Sequence, residues 1–348
     1  MKIQVIVIAI LLALVLGVPF LMSAGKKGTG HTPGTRTLII VTPHVPQIRD
    51  EFGYGFTKWY KREYGEAVSI DWRASGGTSE IRKLLEASFK SAIKEGSAKD
   101  GYTIDEDGIL TIGSGPIPFD LMLGGGSFDH GMLSRGVSVE DPSTGEVVNV
   151  SISRPANFTQ PELDEMFGEN KIGPQELYDP DQYWIGTALS SFGIVYNRDV
   201  FKKLGLEDPD SFADLTAPEL AGWIALADPR QSGSITTTFD SILGNEGWEQ
   251  GWRTLRAMSG NTRYFTNSST KPPIDVSQGE AAAGLAIDFY GRGQAQVIKD
   301  SGGGDRVGYA DPAGAVYVDA DPVSIINGGP DYELAMRFVR YCLTDEAQ

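Results

Sequence analysis

The sequence predicts an α/β protein built as about two domains, and three observations carry that prediction. Apolar, β-branched runs of strand length alternate with helical stretches along most of the chain. A length of 348 residues fits about two domains with sizeable cores. One local pattern also occurs twice: a strand end, a turn of small residues, then the start of a helix. The first copy is Ser75-Gly76-Gly77-Thr78-Ser79 after Val68-Ser-Ile-Asp-Trp; the second is Asp228-Pro-Arg-Gln-Ser232-Gly233-Ser234 after Trp223-Ile-Ala-Leu-Ala. The first turn of a helix has N–H groups without internal partners and the positive end of the dipole, so small residues there admit an anion. Each turn alone also reads as a simple helix cap. Two copies together read as facing turns across a cleft between two lobes.

Composition removes several function classes. The 46 acidic residues outnumber the 30 basic ones, for a formal charge of −16, which argues against a nucleic-acid surface. Three histidines (His31, His44, His130) and a lone Cys342 exclude a Cys/His zinc cluster and an internal disulfide framework. Lys2 precedes an apolar run from Ile3 to Met22, so residues 1–24 read as a signal peptide or an N-terminal membrane anchor. Residues 25–36, rich in Gly, Lys, Thr and Pro, read as a flexible tether. The mature domain is therefore expected outside the cytoplasmic membrane, in the periplasm, soluble or tethered.

The elements follow in order. Thr37-Leu-Ile-Ile-Val-Thr is a buried strand, and Gln47 to Tyr64 a helix carrying Phe52, Phe56, Trp59 and Tyr60. After the second strand and the Gly76–Ser79 turn comes a helix with Ile81, Leu84, Leu85, Phe89 and Ala92 inward. Residues 97–112 with Asp105-Glu-Asp-Gly read as a solvated hairpin, and Phe119-Asp-Leu-Met-Leu as a strand ending in Gly124-Gly125-Gly126. Residues 127–182 read as irregular. Ser191-Phe-Gly-Ile-Val-Tyr-Asn is a strand and Arg198 to Leu204 a short helix closed by Gly205. Beyond the Ser232 turn, Trp248, Trp252 and Leu255 mark a helix with both tryptophans in its core. Gly284-Leu-Ala-Ile-Asp-Phe-Tyr reads as a strand, which would put Asp288 and Tyr290 on one face. Ala315-Val-Tyr-Val and Pro322-Val-Ser-Ile-Ile are further strands, and Tyr332 to Leu343 a closing helix.

Several of these segments together resemble the extracytoplasmic solute-binding proteins of ABC importers, ferric-iron-type branch. The segments are Ser191-Phe-Gly-Ile-Val-Tyr-Asn-Arg, Asp228-Pro-Arg-Gln-Ser-Gly-Ser, Val276-Ser-Gln-Gly-Glu-Ala-Ala-Ala-Gly-Leu-Ala-Ile-Asp-Phe-Tyr and Asp321-Pro-Val-Ser-Ile-Ile-Asn-Gly-Gly-Pro. The resemblance implies a two-lobe type II periplasmic-binding-protein fold with a hinge of two crossing strands. It would place the first lobe at 37–130, a boundary elaboration at 131–182, the second lobe at 183–304 and the return to the first at 305–348. It also suggests a chain truncated at its C-terminus. It implies delivery of the ligand to a membrane permease and a cytoplasmic ATPase; the chain is expected to be a monomer, with membrane contact through the N-terminal segment if that is uncleaved.

The family's iron site carries over in part. His44 stands where the iron binders have a histidine, but their tyrosine pair is Phe289-Tyr290 here, and no glutamate stands near Gly124. The anion-holding turn maps onto Ser232-Gly233-Ser234 intact. The expected site is thus Thr78, Ser79, Ser191, Ser232, Gly233, Ser234, Asp288 and Tyr290, with His44 and Tyr290 as the candidate metal ligands. The expected cargo is either ferric iron with a synergistic anion or a small organic anion, with no resident cofactor. Blander readings stand beside these: His44 as an ordinary loop histidine, Asn267-Ser-Ser-Thr-Lys-Pro-Pro as a surface loop that could also offer polar groups to a ligand, and Asp321 as a strand-end turn residue. An enzyme fits less well, because no serine triad, Gly-x-Ser-x-Gly elbow, P-loop or dinucleotide fingerprint stands out. A membrane-tethered sensor or hydrolase module on the same fold is the alternative.

Overall fold

The computed structural model describes residues 35–95, 102–104, 110–140, 145–173, 175–314 and 316–348. The N-terminal segment, nearly all of the tether, Asp105–Gly108 and Ala315 lie outside the described residues. No described helix is long and apolar enough to cross a membrane.

The chain opens with β1 (Arg36–Val41), α1 (Pro46–Tyr64), β2 (Val68–Arg73), α2 (Thr78–Lys94) and a hairpin of β3 (Tyr102–Ile104) and β4 (Leu110–Ile112). Pro46 starts α1, where a missing N–H costs nothing, and Gly65 ends it in the left-handed region at φ 73°. There follow β5 (Leu121–Leu123), α3 (Ser127–Arg135), β6 (Val137–Glu140), β7 (Val147–Val150), β8 (Ser153–Arg154) and α4 (Gln160–Phe167). Residues 127–182 are therefore not irregular. Their Pro and Gly residues separate short elements that each bury one to three side chains.

Next come β9 (Ile185–Asn197), α5 (Arg198–Leu204), β10 (Ile224–Ala227), α6 (Gly233–Glu246), α7 (Trp248–Gly260) and β11 (Thr262–Thr266). The chain closes with α8 (Lys271–Gln278), β12 (Ala283–Ile287), α9 (Asp288–Ile298), β13 (Val307–Ala310), β14 (Val318–Ile326) and α10 (Tyr332–Cys342). Two sequence expectations fail here. The run from Gly284 to Tyr290 is not one strand, because β12 stops at Ile287 and Asp288 opens α9. Trp248 and Trp252 are not core residues: they stack edge to face at 71% and 41% exposure, while Leu255 and Met258 face inward.

One sheet of ten strands, ordered β11-β10-β12-β9-β14-β5-β1-β2, runs through both lobes, with β13 and β8 paired off that path. In the first lobe β1 pairs in parallel with β2 and β5. Both faces are covered, so Leu38 and Ile40 pack with Phe56, Tyr60 and Phe338, while Val41 packs with Ile81, Leu85 and Phe89. Burial on both faces explains why these strands read as continuous apolar runs. In the second lobe β10 pairs in parallel with β11 and β12, with Ile224 and Leu226 against one core and Ala225 against the other.

Two long strands join the lobes. β9 pairs with β14 through Ile185–Ser191 and with β12 through Phe192–Tyr196, while β14 continues from β9 onto β5. Their crossing is the hinge, and the register shifts between Asp321 and Pro322, where the proline has no N–H to donate.

Candidate functional site

In an open α/β sheet, ligands bind beyond the carboxyl ends of the parallel strands. Here those ends face one another. β1 leads into Pro43-His44, β2 into Gly76-Gly77-Thr78 and β5 into Gly124-Gly125-Gly126; β10 leads into Asp228–Ser232, β11 into Asn267–Ser269 and β12 into Asp288–Tyr290.

The two repeated turns meet across the cleft. A Cβ placed on Gly77 would lie 2.3 Å from the Gln231 carbonyl oxygen of the opposite lobe. Thr78, Ser232, Ser234, His44 and Tyr290 line one small chamber of about 20 Å³, room for about one water-sized group. Ser232 is the residue before α6, yet its hydroxyl does not cap the helix. The bland reading of that serine as a cap therefore fails, and the positive end of α6 opens into the chamber.

Three residues left out of the expected site also line it: Asp321, Ser268 and Ser269. Asp321 lies in β14 rather than in a turn. Its Oδ1 accepts from the Gly125 N–H at 3.0 Å, and its Oδ2 stands 3.2 Å from His44 Nε2. It places a carboxylate beside the Gly124-Gly125 loop. Among the described residues His44 Nδ1 is buried without a partner, and the ring packs against Phe289 at 5.9 Å between centroids. Gly124, at φ 85°, has to be glycine, because a Cβ there would lie 2.1 Å from His44 Nε2.

The chamber favours neutral phenol and hydroxyl donors. Burial pushes the Tyr290 pKa well up, and the Asp321 charge adds to the rise; the Val45 N–H bond and Arg49 oppose it. Tyr290 therefore holds its proton at neutral pH and can donate it. Arg49 also keeps a buried Nε without a partner among the described residues. Beneath the Gly124 loop, His130 bonds Ser324 Oγ at 2.7 Å through Nδ1 and contacts the Gly124 carbonyl at 3.2 Å through Nε2. Complete burial pulls its pKa down to about 4, so it stays neutral.

The remaining expected residues fall elsewhere. Ser79 and Gly233 line a second, larger chamber of about 490 Å³. Ser191 donates to Asp311 Oδ1 at 3.0 Å, and Asp288 Oδ1 accepts from the Phe289 N–H at 2.8 Å, so both are occupied outside the two chambers. Arg292 pairs with Asp311 rather than with Asp288. Asp288 does not share a strand face with Tyr290, because both stand in the first turn of α9.

Comparison with known proteins decides the family. Residues 150–348 match the family described as bacterial extracellular solute-binding protein. The chain belongs to that family. It is also 30% identical over 106 residues to the phosphoglycerate transport regulatory protein PgtC of Salmonella typhimurium, covering 30% of this chain and 27% of that one. The matched stretch is thus about a quarter of that curated relative. Among solved structures, it is similar to the periplasmic binding protein AfuA from Actinobacillus pleuropneumoniae with fructose-6-phosphate bound. There the TM-score is 0.63 at 17% identity, covering 90% of this chain and 81% of that one. Iron-bound HitA from Pseudomonas aeruginosa gives a TM-score of 0.58 at 17% identity, covering 90% and 82%. At that identity the structures show the fold: a type II periplasmic binding protein of two lobes. By that family's description it is an extracellular solute-binding protein.

Proposed function

We propose that this protein captures a small phosphorylated organic anion and closes over it between the two turns. The observation that carries the reading is the first turn of α6: buried, without a side-chain cap, and opposed by Thr78. With the lobes parted beyond the present chamber of about 20 Å³, phosphate would take the backbone N–H groups of that turn together with the Ser232, Ser234 and Tyr290 hydroxyls. Charge-assisted bonds of this kind are the strong ones. Contacts from both lobes stabilise the closed state over the open one, with β9 and β14 as the hinge. The names of PgtC and AfuA, which mention phosphoglycerate and fructose-6-phosphate, support the same chemistry.

Ferric iron is the second reading, favoured by the grouping of His44, Asp321 and Tyr290. Iron prefers several anionic oxygens. Here one phenol is held protonated by burial and its neighbour is Phe289, so the donor set is thin. No enzymatic step is assigned to this cleft; capture and release suffice. The protein would act as an exported monomer, freed from its N-terminal segment or tethered by it, with lobe limits as the sequence reading gives them.

A thermal-shift panel tests this, since a ligand of the folded state raises the melting temperature by mass action. Inorganic phosphate, 3-phosphoglycerate, fructose 6-phosphate and ferric iron with carbonate form the panel. A rise with a phosphorylated compound is expected; a rise with iron alone, with a tyrosinate-to-iron absorption band, would overturn the anion reading.

A further inference from the structure

Beneath the Gly124 loop three buried hydrogen bonds meet at two side chains, and they need one proton more than those side chains carry. His130 Nε2 stands 3.2 Å from the Gly124 carbonyl oxygen, and Nδ1 stands 2.7 Å from Ser324 Oγ. Ser324 Oγ in turn stands 2.9 Å from the Tyr183 carbonyl oxygen. His130 and Ser324 are both buried, so bulk water serves neither. The two carbonyls only accept, so making all three bonds takes three protons. A neutral imidazole supplies one and a serine hydroxyl supplies one. Complete burial keeps the ring neutral, against the pull of the Asp321 charge. The other carboxylates on α3 and β14 are turned elsewhere: Asp129 pairs with Arg82, and Asp319 accepts from the Ser127 N–H.

Each tautomer of the ring therefore leaves a different contact unmade. With the proton on Nε2, the ring holds the Gly124 carbonyl. The Ser324 proton then turns to Nδ1, since two lone pairs would otherwise repel at that distance, and the Tyr183 carbonyl loses its donor. With the proton on Nδ1, Ser324 keeps Tyr183, and the bare Nε2 faces the Gly124 carbonyl oxygen. The two carbonyls sit at opposite ends of the closing machinery. Gly124 precedes Gly125, whose N–H is held by Asp321 and on which a Cβ would lie 2.3 Å from Thr78 Cγ2. Tyr183 leads into β9, the first hinge strand, and Ser324 lies in β14, the second. We propose that His130 is a tautomeric switch between the ligand loop and the hinge. Its Nε2–H form seats the Gly124 loop and slackens the entry to β9, and its Nδ1–H form does the reverse. The switch uses no group of the solute, so it works whichever solute the cleft takes.

Nitrogen NMR of the histidine rings in the purified protein tests this, with the His130 signals assigned by their loss in His130→Gln. Protonated and bare ring nitrogens resonate far apart, so the spectrum reads the tautomer directly. At neutral pH the wild-type ring should populate both tautomers, whereas Ser324→Ala, which removes the middle group, should show Nε2–H alone. Amide hydrogen exchange gives the mechanical readout. In Ser324→Ala the Gly125 and Ser127 amides should exchange about threefold more slowly, and the Tyr183 and Gly186 amides about threefold faster. A mere loss of packing would quicken all four. A single tautomer in the wild-type protein would overturn the proposal, and that result stands even where Ser324→Ala fails to fold. Exchange that quickens in both segments of the variant, or changes in neither, would overturn it too.

Discussion

Helix N-termini inside and outside the cleft are built differently. Away from it, α4 starts with a capping box of Thr159 and Glu162, α5 with Asn197 accepting from the N–H groups of Asp199 and Val200, and α10 with Asp331 accepting from Leu334. At the cleft, α2 and α6 start at Gly77 and Ser232 with no side-chain cap. α7, which starts at Gly247 outside the cleft, is also uncapped, so the contrast is one of tendency. Its lesson is physical. A capped terminus lowers the energy of the fold, whereas an uncapped, buried one keeps its donors for something that arrives later.

The comparison can be broken or sharpened by substitution. The largest effect is expected beneath the cleft, at His130. Its pKa lies at about 4 in the fold against about 6.5 unfolded, so the unfolded chain binds the proton first. Its stabilising contribution is complete above pH 6.5 and falls as pH drops toward 4, by on the order of 3 kcal/mol. Asp120, raised to about 6 by burial, acts in the opposite direction over part of that range. Denaturant melts should therefore show a steeper acid loss for wild type than for His130→Gln; parallel profiles would contradict this.

Next is Ser232→Ala with Ser234→Ala. Calorimetric titration should show an affinity loss of about 1–3 kcal/mol in total for a phosphorylated ligand, with the unliganded melting temperature unchanged. Asn197→Ala should do the reverse: about 0.5–2 kcal/mol of stability lost in a urea melt and no change in affinity. Tyr290→Phe removes one hydroxyl donor and should cost about 1 kcal/mol of binding. Replacing exposed Trp248 by Ser should change stability by less than about 0.5 kcal/mol.

Much of this was legible in the sequence because punctuation coincided with structure. Asn197 and Gly205 bracket α5, and Ser75–Ser79 and Ser232–Ser234 announce the two facing turns. The misses have identifiable causes. Between Gly284 and Tyr290 the step from strand to helix is marked by Asp288 alone, an acidic first-turn residue flanked by apolar Ile287 and Phe289. The Asp321-Pro322 pair reads as a turn, yet β14 accommodates it through a register shift, placing the carboxylate beside His44. Ser268 and Ser269 reach the chamber only because β11 ends at the cleft. His130 and Ser324 are contributed by different elements, so no local spacing could pair them.

The most direct test of closure over an anion is Gly77→Ala. Gly77 has extended backbone, φ −76° and ψ 169°, which alanine adopts freely. The added methyl would lie 2.3 Å from the Gln231 carbonyl oxygen and 3.4 Å from that of Asn267, both across the cleft, so its cost should fall on the closed state. Titration with 3-phosphoglycerate and fructose 6-phosphate should show at least tenfold weaker binding, about 1.4 kcal/mol, with the unliganded melting temperature unmoved. Unchanged affinity would mean that the two turns do not close on the ligand, and the account would fail.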